Sequence, residues 1–377
     1  MKVLIIAQHA DPIDGWGTLA RTTALGLTAN GHEVEVLLQK PSADLSVTQI
    51  KGLPPPLELL RNPLYILFAA WKIAARIRKF RPDIIHVLAE PYALAFPCIP
   101  KKLRHPWVLT GCGTYTILPF TQKLTGALMR RVYSDIDYIL AISAYTQKRI
   151  LAEIATCAPA ICDLVAEKMS VYTLGIEWPQ KFPERTSHNE KRLVFVGGVK
   201  ERKGVREIIE ACGKFKASSS IPFHLDVIGS IPDNAYTKAL KSRVQELSLD
   251  SNVTFRGQIS EEDLLQSYAD ADAFLMLSIP HGMHFEGYGL VFLEANAFGV
   301  PVIGPNDSGC TNAIADGTSG FTVSPKDPDV VAAALKKILE DNHINADECI
   351  AWAKEHSVER QTTETESIYE AVLAKTS

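Results

Sequence analysis

The chain has 377 residues, of which 46% are hydrophobic and 22% charged, a composition that predicts an ordinary soluble globular protein and excludes a disordered one. This length suggests two domains. The net charge of −4 is uneven, because residues 1–180 hold 19 Lys and Arg against 14 Asp and Glu, which leaves the second half acidic. A basic first half suggests an anionic partner such as a membrane surface, although chance composition explains it equally well.

The seven cysteines are scattered and have no metal-ligand spacing. The start, MKVLIIAQ, is too short for a secretory signal and is typical of a strand. We therefore expect reduced thiols and a location in the cytoplasm or on the inner face of the membrane. We predict no metal, no cofactor and no nucleic-acid partner.

Short β-rich segments alternate with longer helical ones along the whole chain. Continuous apolar runs between helices are typical of parallel strands buried on both faces. The predicted strands are 2–8, 32–39, 83–89, 107–113, 138–143 and 170–175 in the first half, and 192–198, 223–229, 252–258, 273–279, 300–306 and 321–324 in the second. The fold class is therefore α/β, with two doubly wound, Rossmann-like domains.

The polar segment WPQKFPERTSHNEK lies between the two series of strands and predicts the domain boundary. We expect an N-terminal domain of residues 1–178 and a second domain of residues 188–357. Doubly wound domains bind ligands beyond the carboxyl ends of their strands, so two facing domains would place a site in a central cleft.

The segment DGWGTLAR, residues 14–21, imitates the G-x-G-x-x-A pattern of dinucleotide-binding domains. Its first glycine stands seven residues beyond the predicted strand, and no acidic residue is well placed after the second strand. NAD binding is therefore disfavoured. A glycine-lined loop capped by Thr18, facing a ligand of the other domain, fits better.

The segment NPLYILFAAWKIAARIRKFRP, residues 62–82, predicts an amphipathic helix. Its run of nine apolar residues is too short to span a bilayer. Lys72, Arg76 and Lys79 fall on one helical face, so residues 63–81 could contact an anionic membrane. Packing against the sheet of its own domain is the favoured interpretation. His86, at the end of a predicted strand, is interpreted as a packed histidine.

In FVGGVKERKGV, residues 195–205, a strand ends in two glycines and a helix begins near Gly204. Lys203, at that helix start, could neutralise a diphosphate. Arg202 is a weaker candidate because it could face solvent, and a solvated charge run is the alternative for both. The acids of DAD, residues 270–272, precede a strand and are interpreted as structural.

The segment HFEGYGLVFLEANAFG predicts a helix from about Gly289 to Phe298, whose first backbone N–H groups can bind an anion. Glu286 lies just before this helix and can point into a cleft. Glu294 lies over a turn inside it, where an apolar setting makes a carboxylate costly unless it is hydrogen-bonded. A ribose diol would supply two donors. The structural alternatives are helix-dipole stabilisation of Glu286 and an internal hydrogen bond or ion pair of Glu294.

The order of these motifs resembles the retaining glycosyltransferases of family 4, which have the GT-B fold. FEGYGLVFLEANAFGVPVIG is similar to the family's two-glutamate motif, and GHEVEV, PDIIHV, AISAYT, YTLGIE, GGVKERKG, NVTFRGQ and ADGTSGFTV stand in the family's order. The resemblance covers nearly the full length. It implies metal-independent transfer of a hexose, with retention, from a UDP- or GDP-sugar to a glycan or lipid-linked acceptor, as in polysaccharide biosynthesis or glycolipid synthesis. It also implies that the C-terminal helix, residues 358–377, crosses back to the acceptor-side N-terminal domain.

The resemblance further implies roles for single residues. Glu286 would hold sugar hydroxyls or line the reacting face, Glu294 would bind the ribose, and Lys203 would bind the diphosphate. The other positions that it places near the nucleotide or its phosphates are Gly17, Arg202, Gly229, Ser230, Gly289 and Leu290.

Three positions depart from the family's pattern. Cys112 stands where the family often has a histidine near the reacting sugar, so it is a catalytic-side candidate. Gly198 replaces a frequent arginine, and Asn312 replaces a frequent acid. These departures leave open the alternative of a non-catalytic sugar- or partner-binding relative. A nucleotide-sugar epimerase or hydrolase of the same fold is the nearest alternative enzyme.

Overall fold

The structure is a computed structural model that describes residues 1–104 and 106–376. The chain divides into two compact units. The first consists of Met1–Glu177 and Ser357–Ser377, and the second of Trp178–His356. Each unit contains one parallel sheet with helices between its strands, so the predicted fold class is confirmed.

The first sheet has seven parallel strands in the order β3-β2-β1-β4-β5-β6-β7. They are β1 (Lys2–Ala7), β2 (Glu33–Leu38), β3 (Thr48–Lys51), β4 (Ile84–Val87), β5 (Trp107–Gly111), β6 (Tyr138–Ala141) and β7 (Met169–Val171). Strand β3 was not predicted, because this short edge strand is half exposed and has no apolar run. The strand order reverses between β1 and β4, which is where doubly wound sheets bind ligands.

The helices that follow these strands are α1 (Gly15–Ala29), α2 (Pro63–Phe80), α3 (Thr114–Ile117), α4 (Lys123–Asp135), α5 (Ala144–Cys157) and α6 (Cys162–Glu167). Helix α2 begins where Asn62 accepts a hydrogen bond from the Leu64 N–H group, and Pro63 takes the first helical position. It ends at Arg81, which adopts a left-handed conformation.

The second sheet has six parallel strands in the order β10-β9-β8-β11-β12-β13. They are β8 (Lys191–Val196), β9 (Phe223–Ile228), β10 (Val253–Gly257), β11 (Ala273–Leu275), β12 (Val302–Pro305) and β13 (Gly320–Val323). Its helices are α7 (Val205–Ser218), α8 (Ala235–Glu246), α9 (Glu261–Asp270), α10 (Leu290–Ala297), α11 (Pro328–Leu339) and α12 (Ala346–Glu355). Here the order reverses between β8 and β11, so the carboxyl ends of these two strands mark the expected ligand position.

The last helix, α13 (Val358–Thr376), packs on the first unit. Gly26 of α1 allows the close approach, because a Cβ atom there would lie 1.9 Å from the Thr362 hydroxyl. The Tyr369 hydroxyl lies 2.6 Å from Nδ1 of His86, whose Nε2 lies 2.7 Å from the Thr110 hydroxyl. Burial lowers the pKa of His86 to about 3, so the ring is neutral. The prediction of a packed histidine is confirmed.

Within the described residues, we find no helix that combines the length and the apolar character needed to cross a bilayer.

Candidate active site

The strongest cluster of predicted site residues lies at the switch point of the second sheet. A short 3-10 helix, Glu201–Lys203, follows β8, and the loop that follows β11 carries Glu286. The Lys203 Nζ atom lies 2.5 Å from Oε2 of Glu286, and Nη1 of Arg202 lies 3.1 Å from the same oxygen. The structure therefore joins two separately predicted motifs, and Arg202 faces the carboxylate as Lys203 does.

The backbone fixes this cluster from both sides. Gly204 has a φ of +72°, and a Cβ atom there would lie 2.0 Å from the Leu277 carbonyl oxygen, so only glycine allows the two loops to approach. The Ile279 N–H group donates to the Arg202 carbonyl at 2.8 Å, and the Gly309 N–H group donates to the Glu286 carbonyl at 2.9 Å. The geometry of the charged groups is therefore set before any ligand binds.

The charges of the cluster keep Glu286 ionised. Burial alone would raise the pKa of Glu286, but the charges of Lys203 and Arg202 and their hydrogen bonds lower it below its ordinary value. The Ser278 hydroxyl lies 3.4 Å from the same oxygen. Two cations and one carboxylate leave one positive charge in excess, which suits an anionic group such as a phosphate.

Helix α10 begins directly beside this cluster. Its N-cap, Gly289, has a φ of +88°, and no side chain caps the helix. The first N–H groups of a helix have no partner inside it and carry the positive end of the helix dipole. The start at Gly289 and Leu290 therefore adds anion-binding capacity to the Lys203–Arg202 cations.

Glu294 lies further along α10, with its side chain half-buried. The Tyr268 hydroxyl donates to Oε2 of Glu294 at 3.1 Å. Burial raises the pKa of Glu294 and this hydrogen bond only partly opposes the effect. The internal hydrogen bond proposed as a structural alternative therefore exists, but a carboxylate can accept several donors, so the bond leaves room for a ligand's hydroxyl groups.

Gly229 and Ser230 follow β9 and meet the glycine loop that follows β8. Gly229 has a φ of +129°, and a Cβ atom there would lie 2.1 Å from the Gly197 carbonyl oxygen. The Val199 N–H group donates to the Ser230 carbonyl at 2.9 Å. These two loops thus form one backbone surface at the carboxyl edge of the second sheet.

A second cluster, which sequence reasoning missed, lies at the switch point of the first sheet around Glu90. This residue follows β4 and is 1% exposed. Its Oε2 accepts a hydrogen bond from the Trp16 indole at 2.7 Å, and its Oε1 accepts one from the Cys112 N–H group at 2.9 Å. An acid directly after a buried strand, inside the apolar run HVLAEPYALAF, was the available signal.

The predicted loop capped by Thr18 is wrong. Helix α1 already begins at Gly15, and Asp14 caps it by accepting the Gly17 N–H group at 2.9 Å. A Cβ atom at Gly17 would lie 2.5 Å from the His9 ring. The glycine is therefore needed for close packing in the first helical turn.

Cys112 lies in the first unit, whereas Lys203 and Glu286 lie in the second. Burial raises the pKa of the Cys112 thiol well above its ordinary value, and the Glu90 and Asp14 carboxylates raise it further. The thiol is therefore protonated at neutral pH and is a poor nucleophile and a poor base. The structure shows instead that the backbone N–H group of Cys112 donates a hydrogen bond to Glu90.

The acids of DAD have structural partners. Asp270 accepts the Thr186 N–H group at 2.7 Å, and Asp272 accepts the Arg192 N–H group at 2.8 Å and pairs with Arg185. In residues 1–104 and 106–376, no three His, Cys, Asp or Glu side chains are arranged to hold a metal ion.

The Glu90 cluster predicts a pH dependence of stability. Burial raises the pKa of Glu90 to about 7, against the hydrogen bonds from Trp16 and Cys112. The native state then holds a proton that the unfolded chain releases, so stability falls as the pH rises from about 4.5 to 7, by up to about 1.4 kcal/mol per pH unit. His86, which is neutral in the native state, contributes a slope of the opposite sign below about pH 6.5, so the measurement is the difference between the wild type and Glu90→Gln. In denaturant titrations between pH 5 and 8, the wild type should lose stability relative to Glu90→Gln as the pH rises. The exposed Glu167→Gln is the control; an unchanged slope in Glu90→Gln would assign the proton to another group.

Family models and known relatives match both units of the chain. Residues 13–156 match the family model Glycosyltransferase Family 4, and residues 177–356 match Glycosyl transferases group 1. A glycogen synthase of Mycobacterium tuberculosis is 25% identical, over 90% of this chain and 86% of its own length. A GDP-mannose-dependent alpha-(1-6)-phosphatidylinositol monomannoside mannosyltransferase of Mycolicibacterium smegmatis is 24% identical over 75% of each chain.

Solved structures show the same fold. A lipopolysaccharide outer core galactosyltransferase superposes with a TM-score of 0.72 at 17% identity and covers 98% of this chain and 100% of its own. An Anabaena protein in complex with UDP and glucose gives the same values. Two parallel-sheet units of this kind define the GT-B class of glycosyltransferases. Within that class, this chain is an enzyme of the family-4 type, a glycosyltransferase.

Proposed function

We propose that the enzyme is a retaining hexosyltransferase that moves a hexose from a UDP- or GDP-sugar to a glycan or lipid-linked acceptor. The observation that carries this proposal is the Lys203–Glu286–Arg202 cluster beside the start of α10. A nucleoside diphosphate is the leaving group of such a reaction, and it gathers negative charge as the glycosidic bond breaks. Cations and backbone N–H groups held in place beforehand stabilise that charge most effectively.

In this proposal the second unit binds the donor. Lys203, Arg202 and the N–H groups at Gly289 and Leu290 bind the diphosphate. Glu286 then exchanges part of its ion pairing for hydrogen bonds from the sugar hydroxyls. Gly229 and Ser230 border the nucleotide, on the backbone surface that Gly229 forms with Gly197.

The acceptor belongs to the first unit. Its Glu90 and Cys112 lie at the switch point of that sheet, where Gly17 lets the first turn of α1 pack closely against His9. Because the Cys112 thiol stays protonated, we assign it no role as a base, and the leaving diphosphate itself takes the acceptor's proton. Such a mechanism retains the anomeric configuration without a protein base or a metal.

The relatives support the choice of donors and acceptors. Proteins named for GDP-mannose and a neighbour solved with UDP and glucose use the two bases that we propose. The names that refer to phosphatidylinositol mannoside and to lipopolysaccharide favour surface polysaccharide or glycolipid synthesis at the inner face of the membrane.

Calorimetric titration with UDP and with GDP, in the presence of EDTA, tests the proposal. We expect tight binding of one nucleotide and weak binding of the other, since a nucleotide-sugar site distinguishes the bases. If the protein binds neither nucleotide, the proposal fails and the non-catalytic alternative gains weight.

The ribose role of Glu294 gives a separate prediction. Glu294→Ala should weaken nucleotide binding by about 10-fold to 100-fold, because hydrogen bonds to a charged group contribute about 1.5–3 kcal/mol. Tyr268→Phe removes the internal donor at 3.1 Å but leaves the carboxylate, so it should change nucleotide affinity by less than about threefold. Titration of both variants with the preferred nucleotide is the measurement. Equal losses would mean that Glu294 acts only through Tyr268.

A further inference from the structure

Helix α2 is apolar on two opposite faces. The face that packs into the first unit consists of Ile66, Ala69, Ala70, Ile73, Ala74, Ile77 and Phe80. The opposite face carries Leu64, Leu67, Phe68 and Trp71, which are 69%, 56%, 42% and 60% exposed. Their spacing of three and four residues makes them one continuous row, here called the α2 ridge. A surface helix normally has a polar outer face, so packing on its own sheet does not explain this ridge.

Cations surround the α2 ridge, and acids are absent from its segment. Residues 59–82 contain six Lys or Arg and no Asp or Glu. Arg61 and Arg76 pair with Glu58 and Glu35 outside this range, so the other four cations make up the excess charge. The Lys72 ammonium lies 4.8 Å from the centre of the Trp71 ring, and Arg78 and Lys79 are exposed in the last turn of α2. A neighbouring 3-10 helix, Lys101–Leu103, packs against α2 and adds two exposed lysines.

We propose that the α2 ridge docks the first unit on an anionic lipid bilayer. Leucine, phenylalanine and tryptophan on one side of a helix, with cations beside them, are the combination that holds a helix in the plane of a membrane interface. The apolar run is too short to cross the bilayer. Membrane docking would bring the enzyme to a lipid-linked acceptor, and in this respect the inference rests on the proposed function.

The charge distribution favours lipid over a second copy of the chain. Two copies joined through the α2 ridge would place two surfaces with excess positive charge against each other. No acid within residues 59–82 could offset that repulsion. Anionic headgroups attract the cations of this segment instead, and each cation at the surface raises the affinity for the membrane by about fivefold.

Co-sedimentation of the full chain with large unilamellar vesicles tests the proposal. The vesicles contain phosphatidylcholine alone or phosphatidylcholine with phosphatidylglycerol, and no nucleotide or acceptor is present. We expect binding to the anionic vesicles that weakens with added salt. Leu67→Ser with Trp71→Ser should weaken it by about tenfold or more, and Arg78→Glu with Lys79→Glu by about 25-fold or more.

The matched control is Val330→Ser, which removes a 43% exposed apolar side chain from α11 of the second unit and should leave vesicle binding unchanged. Absence of binding to anionic vesicles, or equal binding by the Leu67→Ser/Trp71→Ser variant, overturns the proposal. So does a dimer in sedimentation velocity that this variant abolishes, because the ridge would then bind a second copy. The outcome is separable from the proposed function, since nucleotide titration needs no vesicles and the vesicle assay needs no nucleotide.

Discussion

Glu286→Gln should lower turnover of the preferred nucleotide sugar by about 100-fold or more while leaving affinity for the free nucleoside diphosphate unchanged or higher. The wild-type carboxylate is held ionised between Lys203 and Arg202, at 2.5 Å and 3.1 Å. The amide keeps the shape but removes the charge, so both cations become available to the diphosphate. The sugar, in contrast, loses its anionic hydrogen-bond acceptor at the reacting face.

The measurement combines the rate of donor consumption with calorimetric affinity for UDP or GDP. The control is Glu201→Gln, which neutralises an exposed acid in the same 3-10 helix and should change neither value. If Glu286→Gln reduces affinity as much as turnover, Glu286 serves only to hold Lys203 and Arg202 in place, and its role toward the sugar is wrong.

Much of the fold follows from local sequence patterns. The predicted strands of both units are present, because buried parallel strands need continuous apolar runs that stand out between helices. The missed strand β3 lies at the sheet edge and has the sequence TQIK, in which no such run exists. Predicted boundaries extend beyond the observed ones at β11, where only Ala273–Leu275 is a strand and the apolar run continues into the site loop.

The candidate site was predictable only in part, because its contacts join distant segments. Lys203 and Glu286 are 83 residues apart, and each was found through its own glycine motif rather than through their pairing. Glu90 was missed because its partners, Trp16 and Cys112, come together only in the folded sheet. Asp14 was not predicted as the cap of α1, because the dinucleotide-like glycine pattern was interpreted as a loop that extends to Thr18. The helix in fact begins at Gly15.

Helix α2 shows a different limit of sequence reasoning. Its apolar run was open to two interpretations, packing on the sheet or contact with a membrane. The structure shows that the helix has enough apolar residues for a buried face and an exposed ridge together. Periodicity alone cannot separate the two faces when both are apolar.

Lys203→Ala should weaken binding of UDP or GDP by about 30-fold to 150-fold and leave binding of uridine or guanosine unchanged. The range corresponds to about 2–3 kcal/mol for a charge-assisted hydrogen bond that is lost. Lys203→Arg should restore part of the affinity, because the charge remains although its geometry changes. The control is Lys200→Ala, an exposed lysine of the same loop, which should bind both ligands as the wild type does. Equal losses for nucleoside and diphosphate would mean that Lys203 supports the loop rather than the phosphates, and the anion site would then reduce to Arg202 and the start of α10.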